Sequence, residues 1–135
     1  MINDVTTDRD DPPRFTLTSN GPADFDSAIL PEHEKKHGDV QPVVIDMALD
    51  LAFDRALKAA KAEGWRIVET ARGQGAIEAV ATTKLLRFKD DIAIRLRPEG
   101  GGTRIDVRSK SRVGRDDFGA NAKRIKAFLE RVSAS

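Results

Sequence analysis

Three residues of the N-terminal third, His33, Glu34 and His37, match the H-E-x-x-H pattern of zinc hydrolases. On a helix, the two histidines of that pattern bind zinc and the glutamate activates a water molecule. The context disfavours this chemistry, because Pro31 and Gly38 leave room for about one helical turn and the chain has no other histidine. We therefore interpret the segment as a solvent-exposed turn and predict no metal site there.

A second group of candidate residues lies just before the last predicted helix and in its first turns. Arginine side chains and free backbone N–H groups at such a place could bind an anionic ligand. The alternative is a structural corner, in which Arg112 pairs with Asp117 and Asn121 ties the helix to a strand by hydrogen bonds. The candidate ligand-binding residues of this corner are Arg112, Gly114, Arg115, Asp117, Asn121 and Arg124.

A third group consists of basic residues that alternate with apolar ones on two predicted strands, so we expect them to point away from the helices. A basic sheet face could bind nucleic acid, acidic lipid or an acidic protein. No aromatic residue interleaves with these side chains, which disfavours nucleic acid because single-strand binders stack bases on aromatic rings. The basic sheet face comprises Arg95, Arg97, Arg104, Arg108 and Lys110.

Charge is unevenly distributed along the chain. The first 45 residues hold nine acids and four bases, whereas the remainder holds 13 acids and 19 bases, for a net charge of +1 overall. Five of the six prolines lie in residues 1–42, where no apolar period persists. We predict an irregular acidic arm over 1–42 and hypothesise that it folds back over the basic sheet face.

Residues 43–135 predict a single α+β domain. Apolar spacing of three and four predicts helices from Met47 to Glu63 and from Asp116 to Val132, the second with Phe118 on its apolar stripe. Matching apolar faces predicts Leu96 opposite Ile105. The predicted strands are Val43–Ile45, Trp65–Ala71, Ala76–Thr83, Asp91–Arg97 and Thr103–Ser109. The order strand, helix, four strands, helix predicts a two-layer fold, with an antiparallel sheet of four or five strands and two helices on one face. This order is that of the TATA-binding-protein-like or helix-grip-like architecture.

Composition excludes several classes of function. The chain has 135 residues, 39% of them hydrophobic and 33% charged, which suits one domain with one core. Cysteine is absent, so disulfides, thiol catalysis and thiolate zinc sites are excluded. Ser109 and Ser111 have no histidine near them in the sequence and no glycine-rich phosphate loop precedes a helix, so we predict no catalytic residues and no cofactor.

The C-terminal two thirds of the chain resembles a known family. The stretches that carry the resemblance are Gly75–Thr83, Arg87–Arg97, Ile105–Gly114 and Asp117–Ile125. They are similar to the bacterial family catalogued as domain of unknown function 1499, and the resemblance extends over nearly the whole chain. It implies a module with no established activity that is often tethered to a membrane, and hence a place in the cell envelope on either side of the inner membrane. Because the sequence shows no membrane segment, an excised domain and a naturally soluble member both stay open.

These observations lead to one leading interpretation and two alternatives. The leading interpretation is a non-catalytic binding or scaffold module at a membrane, with a protein or a small ligand as its partner. The first alternative is an enzyme or ligand-binding protein that uses an anion site at the Arg112–Asn121 corner. The second is nucleic-acid binding through the arginine-rich sheet face. The sequence does not determine the oligomeric state.

Overall fold

The computed structural model of the protein describes residues 1–134, and Ser135 lies outside the described residues. The strands are β1 (Asp4–Thr6), β2 (Val43–Ile45), β3 (Arg66–Ala71), β4 (Ala76–Thr82), β5 (Lys89–Glu99) and β6 (Gly102–Ser111). The helices are α1 (Leu30–His37), α2 (Leu49–Ala62) and α3 (Ala120–Ala134), with 3-10 turns at Ser27–Ile29 and Arg72–Gln74. From residue 43 onward the predicted order of strand, helix, four strands and helix is confirmed.

The six strands form one antiparallel sheet in the order β1-β6-β5-β4-β3, and β2 pairs with β6 beside β1. The predicted register is confirmed, because Leu96 lies opposite Ile105 and Arg95 opposite Asp106. The hairpin between β5 and β6 turns through two glycines, and Gly100 has a φ of 59°, the left-handed conformation that such a turn requires. The turn and the apolar pattern therefore specify the same pairing.

Helices α2 and α3 cover one face of the sheet, as predicted for a two-layer α+β fold. Alternate residues of β4, β5 and β6 point into this layer and are buried against alanines of α2 and larger apolar residues of α3. The rings of Trp65 and Phe128 stack at a centroid distance of 5.0 Å. The core thus lies between the sheet and the two helices. The apolar residues that recur with a period of two in the strands, and at helical spacing in the helices, face it.

The prediction that residues 1–42 are irregular is wrong for two stretches. β1 pairs with the outer edge of β6, where Asp4 lies opposite Lys110, and Ile2 and Val5 join the core. α1 forms one short helix beside β1. The physical reason for β1 is that an uncovered β6 edge leaves backbone N–H and C=O groups unpaired, which a three-residue strand satisfies even without a strong sequence pattern.

The residues between β1 and the first 3-10 turn, 7–26, which we call the strap, cross the other face of the sheet. The arginines of this face point away from the helices as predicted, but the strap covers them, so the face is not an open surface. Arg108 is 0% exposed. It donates two hydrogen bonds to the Asp4 carboxylate, at 3.0 and 2.8 Å, and one to the carbonyl of Ala23 in the strap at 2.8 Å. Its guanidinium also lies 5.3 Å from the ring centroid of Phe15.

An acidic residue of the strap joins three arginines of the sheet. The Asp8 carboxylate lies 3.0 Å from Arg95, 3.1 Å from Arg97 and 3.4 Å from Arg104. Burial raises the pKa of Asp8, but a backbone hydrogen bond from Asp11 and the charges of Arg104 and Arg95 outweigh it and leave the pKa below its ordinary value. The hypothesis that the acidic arm folds back over the basic sheet face is confirmed.

Candidate functional site

The predicted corner between β6 and α3 is held together by the buried side chain of Asn121. The Ser109 hydroxyl donates to its Oδ1 at 2.6 Å, and its Nδ2 donates to Ser111 Oγ at 2.9 Å and to Asp117 at 2.8 Å. Asn121 therefore ties the helix to the strand, as the structural interpretation expected. Asp117 also accepts hydrogen bonds from backbone N–H groups at the start of α3, which fixes where the helix begins.

The two arginines at the ends of the corner, Arg112 and Arg124, pair with two different acids of β5. Arg112 does not pair with Asp117; its guanidinium makes two hydrogen bonds to Asp91 instead, at 3.0 and 2.8 Å. Strand alternation explains this, because β5 and β6 are paired and Asp91 lies on the adjacent strand. Arg124 pairs with the buried Asp90 at 2.8 Å on the helix side.

The H-E-x-x-H segment does not form the predicted solvent-exposed turn at its first histidine. His33 is fully buried on α1, and its Nε2 accepts a hydrogen bond from the N–H of Thr6 at 3.1 Å. Burial, followed by the positive charge of Arg9, lowers the pKa of His33 to about 4. Glu34 is exposed, and within residues 1–134 no three histidine or acidic side chains come together as a metal site.

A cleft opens at one end of the sheet, between the β4–β5 loop (residues 83–88) and the β6–α3 loop (residues 112–119). Its volume is about 600 Å³. Of the predicted corner residues, Gly114, Arg115 and Asp117 line this cleft. Apolar side chains of the two loops form most of its walls, namely Leu85, Leu86, Phe88, Val113 and Phe118, together with Met1.

The apolar wall residues are exposed to solvent, which no pattern in the sequence predicted. Leu85 is 90% and Phe118 92% exposed, and Leu86, Phe88 and Val113 are exposed as well. The prediction that Phe118 belongs to the core stripe of the last helix is wrong, because α3 begins only at Ala120. Phe118 has a left-handed φ of 52° and Gly119 one of 83°, so the chain is not helical there and the ring points away from the core.

Hydrogen bonds fix the bases of both loops. Thr83 receives a hydrogen bond from the N–H of Phe88 at its hydroxyl and donates its own N–H to the carbonyl of Phe88, both at 2.8 Å. The Asn3 side chain donates to the carbonyl of Gly114 at 2.6 Å. Both loops are therefore held by hydrogen bonds to their backbone, and their apolar side chains are exposed. A signal for the first loop existed in the sequence, since Lys84 to Lys89 fits neither a period of 2 nor one of 3.6.

Basic side chains flank the cleft. Lys84 and Arg87 lie at the tip of the β4–β5 loop and Arg115 lies on the rim formed by the β6–α3 loop. None of these three side chains has an ion-pair or hydrogen-bond partner within residues 1–134, whereas the neighbouring arginines of the sheet are paired. This end of the molecule thus combines exposed apolar groups with unpaired positive charge.

No helix within residues 1–134 has the length and apolar character needed to cross a membrane. The chain is distantly similar to several solved structures, including two crystal structures. The crystal structure of TTHA0849 from Thermus thermophilus is 15% identical, covers 70% of this chain and 97% of its own, and has a TM-score of 0.39. The crystal structure of Ara h 8.0201 is 12% identical, covers 70% of this chain and 96% of its own, and has a TM-score of 0.36.

No curated protein matches the chain. The sequence model of the family described as "Protein of unknown function (DUF1499)" matches residues 4–132. That range includes the strap, the whole sheet, both loops of the cleft and most of α3. The resemblance seen in the sequence is therefore confirmed, and the chain belongs to the DUF1499 family.

Proposed function

We propose that this protein is a non-catalytic binding module whose cleft between the β4–β5 and β6–α3 loops holds a small ligand with an apolar body. The observation that carries the proposal is a concave site of about 600 Å³ with predominantly apolar walls and a few polar groups at its floor. Ligand sites in proteins are usually of this size and composition. Membrane association stays a prediction at this point.

The polar groups of the floor support binding rather than catalysis. Asp90 is paired with Arg124, the hydroxyl of Ser111 accepts from Asn121, and the Asp117 carboxylate accepts three hydrogen bonds. A general base or a nucleophile must be available to the reacting atom. Side chains held in this way offer fixed polar contacts that orient a ligand.

Nucleic-acid binding through the arginine-rich sheet face is not part of the proposal. The strap covers that face, and the carboxylates of Asp4 in β1 and Asp8 in the strap occupy the guanidinium groups. A polyanion would have to displace these carboxylates before it reached the arginines. The cleft, by contrast, is open without any rearrangement of the chain.

The proposal predicts that the protein binds a neutral apolar dye, phenylnaphthylamine, in the absence of lipid. Fluorescence should rise saturably on titration with the wild-type protein. Val113→Glu should weaken binding by at least about tenfold, because a carboxylate in an apolar wall must lose hydration when the ligand enters. Val113 is exposed, so the substitution leaves the folded state intact.

The matched control is Val44→Glu, which adds the same charge at an exposed valine of β2, outside the cleft lining. It should bind the dye like the wild type. The proposed function is wrong if the wild type shows no saturable binding, or if the two variants weaken binding equally.

A further inference from the structure

We infer that the end of the molecule that carries the cleft docks onto an anionic lipid bilayer, with the tips of the two loops entering the headgroup region. The inference names a partner for this end. It rests on the proposed function only in using the same two loops, and each of the two proposals can fail without the other.

Exposed apolar side chains are concentrated at this end of the molecule. Five large apolar side chains from two separate loops surround one opening, and Leu85 and Phe118, the most exposed, project from different loops. Scattered apolar residues are normal on a protein surface, whereas a contiguous group marks an interaction site. The five side chains line the same cleft at one end of the sheet, so a single partner can contact them together.

Each of the two loops also contains a residue with an unusual backbone conformation. Arg87 and Phe118 have left-handed φ values of 59° and 52°, and within residues 1–134 they are the only non-glycine residues with positive φ. Such a conformation costs of order 1–3 kcal/mol and persists where the surrounding structure enforces it. One strained residue thus lies in each of the two loops, and in the second loop it is the residue that presents an exposed aromatic ring.

The charge of the two loops favours one kind of partner. The segment from Lys84 to Lys89 contains three basic and three apolar residues and no acid. The acids of the other loop, Asp116 and Asp117, accept hydrogen bonds from backbone N–H groups. Segments of this composition bury apolar side chains at the acyl boundary and place lysine and arginine among anionic headgroups. A purely apolar partner would leave Lys84 and Arg87 unmatched, so the observations favour an anionic bilayer.

Sedimentation with vesicles tests the inference. The full chain should sediment with vesicles of equal parts phosphatidylcholine and phosphatidylglycerol, and should stay in solution with phosphatidylcholine alone. Added salt should release it, because surface charges are screened. Replacing Lys84 and Arg87 by glutamine should weaken binding by about 25-fold, at roughly fivefold for each basic group near an anionic surface.

A second variant tests insertion of the apolar tips. Leu85→Ser combined with Phe118→Ser should weaken vesicle binding by at least about tenfold while the charge stays the same. The control Lys58→Gln combined with Lys61→Gln removes two charges from α2, outside the two loops, and it should bind like the wild type. None of the changed side chains is buried, so thermal unfolding should show that each variant is folded.

The inference is overturned if anionic vesicles do not retain the wild type, or if the α2 control loses as much binding as the loop variant. It is also overturned if binding depends on Lys84 and Arg87 but not on Leu85 and Phe118, since that result describes simple attraction to any polyanion. Dye binding without vesicle binding would leave the proposed cleft function standing alone. Vesicle binding without dye binding would leave the docking surface standing alone.

Discussion

His33 shows how a residue that suggests metal chemistry serves the fold instead. Its Nε2 accepts the N–H of Thr6, so the neutral ring carries its proton on Nδ1, and this nitrogen has no hydrogen-bond partner in the structure. The edge of the ring also meets Phe25 at a centroid distance of 5.8 Å. A protonated imidazole would lose the bond to Thr6 and place a charge in a buried site, so the folded protein favours the neutral form.

This arrangement makes stability depend on pH. The pKa of His33 falls from 6.5 to about 4 on folding, because of burial and then the charge of Arg9. Between these values the unfolded chain binds a proton that the folded chain does not. The contribution of His33 is therefore present above the unfolded pKa and is lost as the pH falls towards about 4. As the pH falls from 6.5 to about 4, the free energy of unfolding measured in urea should decrease.

The variant His33→Gln isolates this effect, because a glutamine can still accept from Thr6 but does not titrate. Its free energy of unfolding should fall less steeply than that of the wild type over the same pH range. His37→Gln, on the same helix, should reduce the slope only slightly, because the charge of His37 contributes less than burial and Arg9 to the lowered pKa of His33. Equal slopes for the wild type and His33→Gln would show that His33 does not cause the pH dependence.

Among the elements, the turn between β3 and β4 depends on one glycine. Gly75 has a φ of 64°, and its carbonyl accepts the N–H of Leu96 at 2.8 Å. A Cβ at this position would collide with the backbone oxygen of Leu96. The turn thus needs a residue that tolerates left-handed backbone and lets β5 approach closely.

We expect Gly75→Ala to lower the free energy of unfolding by about 2–4 kcal/mol, from backbone strain and steric overlap. Gly73→Ala is the control in the same turn, since a Cβ there meets no atom within 4 Å. It should change stability by no more than about 0.5 kcal/mol. Similar values for the two variants in urea unfolding would contradict the role given to Gly75.

Elements with a regular apolar pattern were predictable, and loops were not. The strand positions, the pairing of Leu96 with Ile105 and the helix α2 follow from periods that reflect which face is buried. Phe118 fits the helical period equally well, yet it lies outside α3. Period alone does not reveal where a cap such as Asp117 will begin the helix, because the cap depends on hydrogen bonds to α3 that only the fold completes.

For the whole molecule, the strap makes the sheet a middle layer. Arg108 and Asp4 are 104 positions apart in the chain and form a buried pair, and Glu78 accepts hydrogen bonds from the backbone N–H groups of Leu17 and Thr18. Burial raises the pKa of Asp4 above its ordinary value, although the hydrogen bond and charge of Arg108 act in the opposite direction. The strap is therefore held by hydrogen bonds to buried side chains of the sheet.

We expect Arg108→Met to lower the free energy of unfolding by about 3–5 kcal/mol, because it leaves a buried carboxylate without its partner. Lys126→Met removes an exposed pair with Asp39 of the same 2.8 Å length and should cost less than about 1 kcal/mol. Urea unfolding gives both values.

If Arg108→Met does not fold, the double variant with Asp4→Asn provides the test. It should recover part of the lost stability, because the buried group is then neutral. The assignment of Arg108 as a buried anchor of the strap is contradicted if the single variant costs no more than Lys126→Met.

The pattern of residues along the chain was enough to predict the two layers of residues 43–134, the strand register and the family. The layers and the register were predictable because they depend on which residues are buried. The uneven charge also indicated that the acidic segment lies on the arginine face. Long-range packing was needed to show that β1 completes the edge of β6, that Arg108 is buried, and that the two loops meet around one cleft. These features join residues far apart in the chain, and neither composition nor period records which distant groups will satisfy one another.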